Sequence, residues 1–228
     1  VEAGYEISKR NWSAAANLYY MSYRDQLVFT GKINDVGAYS RTNVPESYRA
    51  GIELQAGFKP ADWVNLNANA TFSDNRIKKF TEYVDNWDDP NYAQVAVTHS
   101  NTPIALSPSL IAGGGVTFAP FVNLLDNQTL ELDVMGKHVG KQYLDNSGDE
   151  NRTIKDYTLC DLRLRYSIAL KPFREIMATF AVNNIFDRKY ESNGYVWYVY
   201  QTGGQNVVDN RYFPQAGINY MAGITLKW

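Results

Sequence analysis

The sequence predicts an all-β fold, a transmembrane antiparallel β-barrel of which these 228 residues supply about nine strands. Three observations lead there. Apolar and polar residues alternate over long stretches, short and long connections take turns, and aromatic side chains gather beside the short ones. Strict alternation gives a strand two unlike faces, and a barrel in lipid needs one apolar face and one polar face. No run of about 18 apolar residues could cross a bilayer as a helix. Barrel strands escape that test because their two faces average out, which suits a mean hydropathy of -0.39.

The strands are expected near 1–10, 12–30, 38–58, 63–80, 100–121, 129–147, 153–170, 175–190 and 212–228. The first, "VEAGYEISK", already reads as a strand at residue 1. In the third, Ile52, Leu54, Ala56 and Phe58 oppose Glu53, Gln55 and Gly57. The fourth sets Val64, Leu66, Ala68, Ala70 and Phe72 against Asn65, Asn67, Asn69, Thr71 and Ser73. Inside the fifth, Gly113 to Gly115 marks a bend or the close approach of another backbone, and not a phosphate loop. The sixth sets Leu130, Leu132 and Val134 against Glu131 and Asp133. In the seventh, Leu162, Leu164, Tyr166, Ile168 and Leu170 oppose Asp161, Arg163, Arg165 and Ser167. Ile176, Ala178, Phe180 and Val182 form the apolar set of the eighth. Tyr220, Ala222, Ile224, Leu226 and Trp228 form that of the ninth, which runs to the last residue.

Short connections fall at 9–11, 59–62, 121–128 and 171–175, and long ones at 31–38, 80–101, 145–153 and 190–211. Trp12, Phe58, Trp63, Phe121, Phe173 and Trp228 lie beside the short ones, as a membrane–water rim would require. A soluble β-sandwich would place the same apolar side chains under a second sheet, but its strands are usually shorter. Nine is an odd count for a single-chain bacterial barrel, and lipid does not tolerate two open edges. The chain therefore reads as part of a larger barrel. It also has no signal peptide at its start, as in a mature chain or a piece of a longer one.

Composition narrows the chemistry. A formal net charge of -2, with Lys and Arg scattered, argues against a nucleic-acid partner. One cysteine, Cys160, allows no internal disulfide, and no Cys/His cluster suggests a metal or cofactor. His99 and His138 have no nucleophile motif beside them. Glu131 and Asp133 at i, i+2 could mimic an acid–base pair, but a polar lumen supplies such pairs routinely, so no enzyme is expected. Arg163 and Arg165 face the lumen, either toward an anionic substrate or neutralising neighbours such as Asp161. Recognition is expected from aromatic loops: Tyr195, Trp197, Tyr198 and Tyr200 in one, and Tyr83, Trp87 and Tyr92 in another.

The last fifty residues carry a family resemblance. In "FAVNNIFDRKYESNGY", Val182, Asn184, Ile185, Phe186, Asp187, Arg188 and Tyr190 fit the next-to-last strand of TonB-dependent outer-membrane receptors. In "RYFPQAGINYMAGITLKW", Pro214, Gly217, Asn219, Tyr220, Gly223, Ile224, Leu226 and Trp228 resemble their last strand. Ile218 stands where the family usually has Arg, and Trp228 where Phe is commoner. Residues 47–80 resemble the family's repeated hairpin.

The resemblance implies a 22-stranded barrel closed by a plug, with residues 1–228 as its C-terminal strands and the plug and first strands absent. It implies the outer membrane of a Gram-negative bacterium and TonB-dependent uptake of an iron chelate, haem, cobalamin or a glycan. Its partners would be membrane lipid, the plug and remaining strands, the TonB complex through the missing N-terminal part, a surface lipoprotein and the barrel-assembly machinery. Tyr220, Ala222, Ile224, Leu226 and Trp228 would be the assembly signal. The alternative is a passive porin or structural barrel without a plug.

Overall fold

The computed structural model describes residues 1–91, 93–120 and 127–228. Tyr92, Phe121 and most of the 121–128 connection lie outside the described residues. Fourteen strands are present among those described: β1 (Glu2–Ser8), β2 (Trp12–Ile33), β3 (Tyr39–Ala61), β4 (Val64–Asn86), β5 (Gln94–Pro103), β6 (Leu110–Phe118), β7 (Gln128–Val139), β8 (Gln142–Tyr143), β9 (Thr153–Ile154), β10 (Tyr157–Ile168), β11 (Glu175–Asn183), β12 (Glu191–Thr202), β13 (Gln205–Pro214) and β14 (Asn219–Lys227).

Nine of them form one antiparallel wall in the order β1-β2-β3-β4-β6-β7-β10-β11-β14, matching the nine expected from alternation. Register explains why the wall holds. Directly opposed residues share a face, and Trp12, Phe58, Leu66, Val116, Val134, Leu162, Val182 and Tyr220 form one continuous row across eight strands. The next row toward the short turns runs Phe118, Leu132, Leu164, Phe180 and Ala222. Between these rows, on the other face, lie Asn65, Thr117, Asp133, Arg163, Ala181 and Met221. Slipping any strand by one residue would turn its apolar set into the polar face, so the register is strongly specified. The sheet is open: β1 and β14 each have one neighbour in the wall.

Where the structure departs from the expected boundaries, the long connections are responsible. β2, β3 and β4 run 22 and 23 residues, roughly 75 Å at about 3.3 Å per residue, against an apolar band of about 25 Å. Their upper halves therefore extend well beyond the length of such a band. The 80–101 connection is largely strand, with β4 continuing to Asn86 and β5 returning beside it, so His99 lies in a strand. The 190–211 connection is likewise a hairpin, β12 with β13, and the 145–153 connection is flanked by the two-residue strands β8 and β9. The expected 100–121 strand is interrupted at 104–109, where the chain leaves the ladder before β6.

One cause is a phase change in β4. Lys78 and Lys79 are both exposed, and beyond them Phe80, Glu82 and Val84 turn to the packed side while Thr81 and Tyr83 turn out. At Gly114 the expected close approach is made by β4: a Cβ there would lie 2.7 Å from the Asn67 carbonyl oxygen.

Candidate functional site

The aromatic residues that the sequence marks for recognition meet at the long-connection end. β12 and β13 are joined by Gly203 and Gly204, whose φ angles of 58° and 72° lie in the left-handed region that favours glycine. A bulge between Val196 and Tyr198 leaves Trp197 without a direct partner. As a result Val196 and Val199 are both buried, while Trp197 and Tyr198 are both turned out, 43% and 49% exposed. Trp197 stands edge-on to Tyr195 and Tyr198, with ring centroids 6.1 and 5.4 Å away, and Tyr195 meets Phe213 at 5.8 Å. Edge-to-face rings of this kind support one another at low conformational cost.

The tip of this hairpin is clamped to the tip of β4. Tyr200 and Gln201 pair in parallel with Asp85 and Asn86. Tyr200 stacks on Trp87 at 3.8 Å and 16°, and the Trp87 N–H donates to the Gln201 carbonyl at 2.9 Å. The Asp88 carboxylate accepts from the N–H groups of Gly203 and Gly204 at 2.8 and 3.1 Å. Those two backbone donors hold its carboxyl below the ordinary carboxylate range. The two aromatic groups, more than a hundred residues apart, are thus one assembly. In it, Trp87 and Tyr200 face each other and Tyr195, Trp197 and Tyr198 form the open part. Tyr83 stands apart, lining a cleft of about 490 Å³ with Thr30, Lys32, Glu82, Gln94 and Asp145.

Residues 140–156 fold inward beneath the hairpin. Leu144 and Ile154 are fully buried with Val84, Val196 and Val199. Asn146 donates to the Phe29 carbonyl at 2.7 Å and accepts from the Ala105 N–H at 2.8 Å. Gly31, at φ 84°, leaves room for this segment; a Cβ there would meet the Leu144 carbonyl oxygen at 2.7 Å. Arg152, 2% exposed, donates to Glu82 on β4 and to Asp145, each at 2.7 Å. Its Nε lies 3.4 Å from Asp149. Burial opposes its charge, but Asp145 and Glu82 outweigh that and hold its pKa above the ordinary value. Glu82 also meets His99 at 2.9 Å. This cluster was not legible in the sequence, because Glu82 and Arg152 are 70 residues apart and nothing local marks them as partners.

Lower on the polar face, Arg165 is held by Glu131 at 2.9 Å and Asp133 at 3.0 Å. The neutralising partners are therefore these two carboxylates and not Asp161, which instead accepts from the Asn184 N–H at 2.7 Å. The Glu131 and Asp133 pair is engaged by a guanidinium, an arrangement that leaves no free acid–base couple. Arg163 points from the same face and is exposed. Among the described residues no group of three or more His, Cys, Asp or Glu side chains could hold a metal.

Tyr220, Ala222, Ile224 and Leu226 lie on one face of β14, opposite Val182, Phe180, Ala178 and Ile176 of β11. Phe180 and Tyr220 stack at 6.3 Å. Trp228 follows the strand and is exposed.

A family model described as "TonB dependent receptor-like, beta-barrel" matches residues 1–185. No curated protein matches the chain. Among solved structures, the siderophore receptor PiuA from Acinetobacter baumannii superposes with a TM-score of 0.64 at 15% identity, covering 98% of this chain and 27% of that one. The ferric yersiniabactin uptake receptor FyuA from Yersinia pestis gives 0.59 at 17% identity, over 100% of this chain and 30% of that one. The copper transporter OprC gives 0.60 at 15%, over 98% and 30%. The chain thus spans less than a third of the length of these structures. Members of the family are Gram-negative outer-membrane proteins, receptors and transporters, and the family implies a plug domain and a TonB partner. With its family match over residues 1–185 and its wall of antiparallel strands, the chain belongs to the TonB-dependent receptors and forms part of their β-barrel.

Proposed function

We propose that residues 1–228 are the C-terminal portion of a 22-stranded, plugged barrel in a Gram-negative outer membrane. The receptor would take up a scarce nutrient, an iron chelate, haem, cobalamin or a glycan, in a TonB-dependent step. The observation that carries this reading is the rigid aromatic platform of Tyr195, Trp197 and Tyr198, on a hairpin clamped at its tip and standing at the end opposite the short turns. Flat conjugated surfaces and sugar faces both stack on such rings. Tyr83, beside its cleft, is a second contact point, and Trp87 with Tyr200 holds the platform in place. Arg163, exposed on the polar face, would meet the plug or an anionic substrate, whereas Arg165 is already matched by two carboxylates.

The test uses the full-length receptor and a panel of ferric chelates, haem, cobalamin and oligosaccharides. One class should bind saturably, and Trp197→Ala should weaken it by about tenfold or more, as loss of an exposed aromatic ring that a ligand covers on binding would. Uptake should cease in cells without TonB. Unsaturable flux that persists without TonB would establish the passive pore instead.

A further inference from the structure

The inward-folded segment 140–156 belongs to neither the wall nor the aromatic platform, yet it touches both. On one side it is tied to the wall through Arg152 with Glu82 and Asn146 with Phe29, and to the 104–109 interruption through the Leu106 N–H, which donates to the Tyr143 carbonyl at 2.9 Å. On the other side it carries the hairpin. Asn210 on β13 donates to the Asn151 carbonyl at 2.7 Å, and the Tyr212 hydroxyl to the Thr153 carbonyl at 3.1 Å. Leu144 and Ile154 fill the space beneath Val196 and Val199, and a Cβ on Gly194 would come within 3.0 Å of Leu144. The segment has two short strands and few ladder bonds of its own, so its shape depends on what grips it. The strongest grip is Arg152, a buried cation between Glu82 and Asp145. Removing one partner of such a pair leaves an uncompensated buried charge, which costs far more than an exposed pair is worth.

We infer that Arg152 is a positioning residue for the aromatic hairpin: by locking 140–156 to β4 it sets where Tyr195, Trp197 and Tyr198 stand. The link to uptake rests on the function proposed above, but the positioning does not, because it can be read without a ligand. The bulge at Trp197 makes the arrangement sensitive. Val196 and Val199 face the segment while Trp197 and Tyr198 face away, so a shift of the segment moves the two outward rings with it. The Trp87–Tyr200 clamp at the tip, and at the base the Arg152 lock together with the Tyr39 hydroxyl, which donates to Asn193 at 2.9 Å, then hold the hairpin from opposite ends.

Hydrogen exchange on the full-length receptor in its membrane environment tests this. Arg152→Met should speed exchange of the amides in 140–156 and in 191–214 by about tenfold or more, leaving the wall amides of β2 and β3 unchanged, because local opening exposes only the units it releases. Arg152→Lys, which keeps the charge but replaces the planar guanidinium, whose Nη1 meets both Glu82 and Asp145, by a more strongly hydrated ammonium, should give an intermediate rate in both segments. A double variant, Asn210→Ala with Tyr212→Phe, should loosen 191–214 while 140–156 keeps its protection. If Arg152→Met frees 140–156 but leaves 191–214 at the wild-type rate, the inference is wrong. It is equally wrong if neither segment changes. Should Arg152→Met fail to insert, the double variant decides: accelerated exchange confined to 191–214 supports the coupling, and wild-type exchange there overturns it.

Discussion

Asn184→Ala should weaken the barrel more than most single substitutions at a turn, and the structure says by how much. Asn184 follows β11 with φ at 52°, in the left-handed region, and is 3% exposed. Its side chain makes three hydrogen bonds. Nδ2 donates to the Arg188 carbonyl at 2.9 Å and to the Ala216 carbonyl at 3.3 Å, and Oδ1 accepts from the Arg188 N–H at 2.9 Å. At about 1 kcal/mol for each bond, the alanine variant loses about 3 kcal/mol. An alanine held in the left-handed region costs about 1 kcal/mol more. The expected loss is therefore about 4 kcal/mol.

Asn184→Gly separates the two parts, since glycine accepts the φ angle but replaces none of the bonds; it should cost about 3 kcal/mol. The assay is urea unfolding of the full-length receptor in lipid, followed by gel mobility of the folded form. An alanine variant within about 0.5 kcal/mol of wild type, or one more stable than the glycine variant, would refute the reasoning.

Three further outcomes are expected. Gly51→Ala should lower stability by about 1–3 kcal/mol, because a Cβ there would lie 2.6 Å from the Tyr19 hydroxyl oxygen, 2.8 Å from its Cζ and against the Phe72 carbonyl; Tyr19→Ala should restore only part of the loss, a result checked in the same unfolding assay. For Asp88 the folded pKa is depressed, so its contribution to the hairpin tip is complete above the ordinary carboxylate pKa. It should be lost as pH falls through the lower folded value. Exchange at 203–204 measured from neutral to strongly acidic pH should show that loss in wild type and no such step in Asp88→Asn. Trp228→Ala should reduce the amount inserted in the membrane while leaving ligand affinity of the surviving receptor unchanged; an unaltered membrane level would refute its part in assembly.

The nine wall strands were legible because one face of the wall is apolar and the other polar, which forces every residue of the wall to declare a face. The row from Trp12 to Tyr220 is that constraint made visible. The motif around Asn184 and Asp187 was legible as a resemblance, and the structure supplies its physics: Asn184 binds Ala216, and Asp187 accepts from the Ile218 N–H at 2.9 Å. Both tie the end of β11 to the approach to β14. A backbone N–H serves at position 218 whatever the side chain, which is why Ile218 can stand there.

Beyond the apolar rows of the wall the constraint lifts. The hairpins of 80–101 and 191–214 read as loops because their tips are rich in Asn, Asp and Gly, although Gly203-Gly204, between the apolar run 195–200 and Val207-Val208, is itself a hairpin signal. The inversion at Lys78–Lys79 has no sequence mark, since two exposed lysines in a row fit either phase. Arg152 was invisible because its value lies in partners that only the folded chain brings near.

The contacts that build the wall are mostly between strands adjacent in sequence, whereas those of the mouth are distant. The Tyr39 hydroxyl meets Asn193 across 154 residues, and Asp88 meets Gly203 across 115. Ordering so much chain before a contact forms makes such pairings late. Within these 228 residues the strand pairings of the wall can therefore form before those of the mouth, so a substitution that breaks a mouth contact leaves the wall's own pairings free to assemble.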